Sequence, residues 1–66
     1  MFPFKIDQRV IDHFIKTGKV DEIYLRLICF KIIKNQELNE LESVIFQGKI
    51  KEINELMIII TNSIDN

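Results

Sequence analysis
An all-α fold, a small bundle of about four short helices, is expected from three observations. Apolar residues recur every three or four positions in four separate segments. Aspartates stand where the first two of these segments begin, and the two glycines, Gly18 and Gly48, stand where the first and third end. The segments follow one another closely, so residues 1–66 are read as one domain.

The first helix is expected over roughly Asp7 to Thr17, with Val10, Ile11, Phe14 and Ile15 on one face and Gln8, Arg9, Asp12 and Lys16 on the other. Asp7 can cap its start, and Gly18 supplies the left-handed residue that commonly ends a helix. The second, roughly Asp21 to Lys34, starts at a second aspartate and is apolar nearly all round, from Ile23, Tyr24 and Leu25 through Cys29 to Ile32 and Ile33. Such a helix belongs in the middle of a bundle.

Asn35 and Gln36 break the pattern before a third helix, roughly Glu37 to Gln47, striped by Leu38, Leu41, Val44 and Ile45. Its acidic first turn suits the helix dipole. The fourth, roughly Lys49 to Asn62, aligns Ile50, Ile53, Leu56, Met57 and Ile60, and the tail from Ser63 to Asn66 is expected to fray. Because β-branched isoleucine favours strands, VIF at 44–46 and MIII at 57–60 offer an α+β alternative. No Asn-Gly type turn accompanies those runs, which keeps the helical reading ahead.

The two glycines lie thirty residues apart and open similar phrases, GKVDEI at 18–23 and GKIKEI at 48–53. A shift of thirty also pairs Ile11 with Leu41, Phe14 with Val44 and Ile15 with Ile45, which points to an internal repeat over 7–31 and 37–61 built of two helix, glycine turn, helix hairpins. With two copies, the chance likeness of amphipathic helices explains the match equally well. The stretch FIKTGKVDEIYLRL at 14–27 resembles the turn region of tetratricopeptide-like helical repeats, in which a hydrophobic, Gly, basic, hydrophobic, acidic pattern joins consecutive helices. This chain departs from them in having no alanine, with Ile23 and Ile53 where those repeats place small residues.

A chain of this length buries only about 60 % of the surface its unfolded form exposes, so its own core must be thin. Apolar residues are nevertheless 47 % of the sequence, fourteen of them isoleucine, and an excess of this kind points to an oligomer or a bound partner. Nine Lys and Arg against ten Asp and Glu remove the broad electrostatic case for nucleic acid. Cys29, the only cysteine, cannot form an intramolecular disulfide, which suits a reducing, cytoplasmic setting. Neither a secretory signal nor a membrane span is expected, since Arg26 and Lys31 interrupt the richest apolar run. The Ile, Lys and Asn content fits an AT-rich genome such as that of a low-GC bacterium or a phage.

Enzyme chemistry is not expected, because general acid and base work draws on His, a buried carboxylate pair or a Cys beside a base. His13 is the only histidine and borders a polar face, while Cys29 lies in an apolar helix as a small hydrophobe. No catalytic residue and no cofactor is therefore assigned. No metal site is expected either, since His13 and Cys29 stand sixteen positions apart and a structural zinc wants four such ligands. The lone glycines lack the spacing of a phosphate loop.

Two groups remain as candidate surfaces. If the glycine turns share one end of the bundle, Lys16, Lys19, Lys49 and Lys51 form a basic patch there, tempered by Asp21, Glu22 and Glu52. On helical geometry Ile58 and Ile59 point away from the stripe of the fourth helix and Phe46 from that of the third, so each needs a cover from inside the chain or outside it. The expected function is a non-catalytic protein-binding module, itself an oligomer, that modulates a larger partner as a small inhibitor, antirepressor, antitoxin or co-chaperone does. Phe46, Ile58 and Ile59 are its candidate partner-binding residues. The rival, a helical DNA-binding regulator, needs an exposed helix dense in Arg, Lys, Asn or Gln, and none of the four segments offers one.

Overall fold
A computed structural model describes residues 5–65 as four α-helices, with no strand among the described residues. These are α1 (Gln8–Thr17), α2 (Glu22–Ile33), α3 (Glu40–Gly48) and α4 (Ile50–Asp65). VIF at 44–46 and MIII at 57–60 lie within α3 and α4, so packing on a helical stripe prevails over the strand preference of isoleucine. Among the described residues no helix is long and apolar enough to cross a membrane.

The helix ends follow from side-chain and backbone hydrogen bonds that satisfy otherwise orphaned groups. The carboxylate of Asp7 accepts from the Val10 N–H at 3.1 Å and that of Asp21 from the Ile23 N–H at 3.2 Å, as the sequence predicts. Gly18, at φ 72°, closes α1 in the left-handed conformation. The end of α2 uses Asn35 in the same way, at φ 61°. Its N–H donates to the Ile32 carbonyl and the Gln36 N–H donates back to the Lys31 carbonyl, the paired bonds of a Schellman motif.

Three boundaries differ from the sequence reading. α3 begins at Glu40 rather than Glu37, because Asn39 and Glu42 form a reciprocal capping box in which each side chain bonds the other's backbone N–H, at 2.8 and 2.9 Å. Gly48 is still helical, and Lys49 is the residue that ends α3. The need for glycine here is spatial: a Cβ would stand 2.5 Å from Cζ of the Phe14 ring, so α1 and α3 touch where Gly48 lacks a side chain. Finally, α4 continues through Ser63 to Asp65 instead of fraying, while Asn66 lies outside the described residues.

The core consists of Ile6, Ile11, Leu25, Leu27, Ile28, Cys29, Ile45, Ile53 and Ile60. α2 packs against both α3 and α4 and contributes four of these residues, the central place its all-round apolar sequence predicts. The backbone of α1 comes close to that of α3 and not to that of α2, so the first glycine turn joins two helices whose nearest backbone neighbours lie in the second half of the chain. Only a narrow strip of α1 is covered: Ile11 is buried and Val10 and Phe14 are half-buried, but Ile15 is 71 % exposed. Its expected place on the apolar face of α1 is thus corrected. Val44 and Ile50, also assigned to stripes, are likewise exposed.

Candidate binding surface
The candidate partner-binding residues separate in the structure. Ile58 and Ile59 are 63 % and 60 % exposed on the outer side of α4. Phe46 instead packs half-buried against the core, because the neighbours of α3 cover more than its Leu41, Ile45 stripe, and Leu38, expected on that stripe, precedes the helix. Successive helical positions diverge by about 100°, and the two isoleucines accordingly face different surroundings. Ile58 lies with Asn54, Met57, Thr61 and Asn62 along an open, uncharged face. Ile59 lies with Val20, Leu25 and Leu56 in a groove of about 250 Å³ between α2 and α4 that Glu22, Glu52 and Glu55 also line.

The groove is fixed by how α2 meets α4. The thiol of Cys29, fully buried on α2, donates to the Ile53 carbonyl at 3.5 Å, while nearer the start of α2 Leu25 and Val20 reach Leu56 and Ile59. The helices therefore run in opposite senses, and the groove opens where α2 begins. Burial pushes the Cys29 thiol above its ordinary value, opposed by the nearby positive charge of Arg26. The thiolate is the reactive form, so Cys29 is expected to resist an aromatic disulfide reagent in the folded protein and to react fully once denatured. Titration of Cys29 links to stability in one direction. With the folded value raised, its contribution is complete below the unfolded value near 9.0 and is lost as pH rises above it.

Of the four lysines, Lys16, Lys19 and Lys51 are exposed and Lys49 is half-buried at the end of α3. Phe14 against Gly48 brings the last turns of α1 close to the second glycine turn. None of the four forms an ion pair among the described residues. The two ion pairs found there use other residues. Arg26 meets Glu22 on the exposed side of α2 at 3.0 Å, and Lys31 meets Glu42 at 2.7 Å.

Glu42, in the first turn of α3, is 3 % exposed. One of its oxygens accepts the Asn39 N–H and the other accepts from Lys31, so both needs of a buried carboxylate are met from within the chain. Glu42 ties α3 to α2 and is not available to a ligand. The spacing Asn39, Glu42 would have revealed the cap; nothing in the sequence announces Lys31 as its partner.

His13 lines a second opening of about 330 Å³ between α1 and α2, together with Arg9, Val10, Val20, Asp21 and Tyr24. An oxygen of Asp21 is already engaged in capping Ile23, and among the described residues the imidazole makes no hydrogen bond to a carboxylate that would orient it as a base. Among the described residues no cluster of three or more His, Cys, Asp or Glu side chains could hold a metal ion.

No family model, curated protein or solved structure matches the chain.

Proposed function
We propose that the chain is a non-catalytic, cytoplasmic protein-binding module that self-associates or joins a larger partner through the outer side of α4, modulating that partner in the manner of a small inhibitor, antirepressor, antitoxin or co-chaperone. The observation that supports this reading is the pair Ile58 and Ile59, adjacent large aliphatic side chains each more than half exposed on a helix whose Ile53 and Ile60 are already in the core. Among the described residues none buries them, and a surface supplied by a partner would. Each fully buried isoleucine contributes about 1.5–3 kcal/mol, enough to make the face an anchor.

Replacing Ile58 and Ile59 together by Lys tests the proposal. At such exposed positions the change costs no more than about 0.5 kcal/mol each, so helicity should be retained. The expected result is loss of capture of the partner that wild-type protein retrieves from its host extract, and a sedimenting mass reduced to the monomer. A folded variant that keeps its wild-type mass and its partner would overturn the reading.

A further inference from the structure
The groove between α2 and α4 specifies a charge for its occupant. Val20, Leu25, Leu56 and Ile59 line it together with the side chains of Glu22, Glu52 and Glu55. Arg26 neutralises Glu22 through their 3.0 Å ion pair. Glu52 and Glu55 have no such partner among the described residues, and neither Lys19 nor Lys51 lines the groove although each adjoins a residue that does. A groove that combines aliphatic side chains with two carboxylates outside any ion pair among the described residues is complementary to aliphatic anchors flanked by Lys or Arg.

The shape adds a second condition. Glu52, Glu55, Leu56 and Ile59 follow the spacing of one helix face, and from Glu52 to Ile59 that face runs for about 10 Å, two turns of helix. A groove between two helices that displays such a face accepts a third helix, with anchors spaced three or four residues apart.

We infer that the groove between α2 and α4 is a docking site for a basic amphipathic helix of another protein, whose aliphatic residues cover Leu56 and Ile59 and whose Lys or Arg side chains pair with Glu52 and Glu55. This rests on the reading of the chain as a protein-binding module and names the chemistry of the partner. Ile58, on the uncharged neighbouring face, is outside the site.

The probe is a short designed helix with two Leu anchors four residues apart and Lys on both flanks, titrated into isotope-labelled protein while amide resonances are followed. A second helix with Glu in place of every Lys is the control. The Lys helix should shift amides around Leu25, Leu56 and Ile59 and bind more weakly as salt is raised, while the Glu helix should not bind. The double variant Glu52→Gln, Glu55→Gln and the single variant Ile59→Ser should each weaken the Lys helix about tenfold, whereas Ile15→Ser, at an exposed position on α1 outside the groove, should leave it unchanged. All these positions are exposed, so circular dichroism should be that of the wild type. Equal binding of the two helices, or full affinity in the Gln variant, overturns the charge assignment. Self-association that Ile59→Ser abolishes and the Lys helix fails to displace assigns the groove to a second copy of the chain and also overturns it. If the Gln variant still captures the native partner while the double variant Ile58→Lys, Ile59→Lys does not, the binding-module reading stands and only the basic helix is lost.

Discussion

Ile45→Ala should destabilise the protein severely, and Ile15→Ala should scarcely affect it. The two isoleucines stand thirty residues apart, each in the apolar stripe expected of its own helix, and from sequence alone the substitutions are expected to behave alike. In the structure Ile45 is fully buried and Ile15 is 71 % exposed. Truncating a fully buried isoleucine to alanine costs about 2–5 kcal/mol, the lost transfer energy plus the cavity left behind. A domain of this size has in total roughly 3–10 kcal/mol of stability, so the first variant forfeits a large share of it. The second removes little buried surface and replaces a β-branched residue with the best helix former, which keeps the change within about 0.5 kcal/mol. Denaturant melts of both variants, compared at equal slope, measure the difference. Equal losses would mean that α1 buries Ile15 in the way α3 buries Ile45.

Glu42→Ala should be nearly as damaging, although it removes a charged residue from the first turn of a helix. The substitution leaves the Asn39 N–H without its acceptor and the half-buried Lys31 ammonium without its anion. A lost cap costs about 1 kcal/mol and a lost hydrogen bond to a charged group about 1.5–3 kcal/mol, together roughly 3 kcal/mol. For a domain this small that lowers the melting temperature by roughly 10–25 °C. Glu42→Gln keeps an acceptor for the cap and should lose only part of this, about 1–2 kcal/mol. Combining Glu42→Ala with Lys31→Met should recover some of the loss, because the unpaired cation is then absent as well. If the double variant is no more stable than Glu42→Ala, the ion pair contributes nothing beyond the cap.

These two cases mark the boundary between what the chain carries locally and what it acquires by packing. The all-α class, the four helices and most of their ends were legible in the chain alone. The reason is that a cap such as Asp7 to Val10, or a left-handed Gly18, is made by residues within a few positions of one another. The central role of α2 was legible for a similar reason: a helix apolar on every side must be enclosed. Even the missed start of α3 is written locally, in Asn39 and Glu42.

Which apolar residues are covered depends instead on how the helices come together. Ile15, Val44 and Ile50 obey the helical period as well as Ile11, Ile45 and Ile53 do, but period describes a direction around one axis and burial depends on a second helix standing there. α1 lies close to α3, and in that arrangement Ile11 is buried while Ile15 is left out. The same limit applies to the candidate surface. Geometry within α4 turned Ile58 and Ile59 off the core stripe, whereas Phe46, chosen by the same reasoning, is half-buried against the core. The separation of Ile58 from Ile59, and the meeting of Ile59 with Glu22, Glu52 and Glu55, join α2 to residues some thirty positions away. Lys31 and Glu42, eleven residues apart on different helices, form their pair by the same long-range placement. Local rules position a side chain on its own helix; the environment of that side chain is set by the neighbouring helix, and single-helix periodicity contains no information about it.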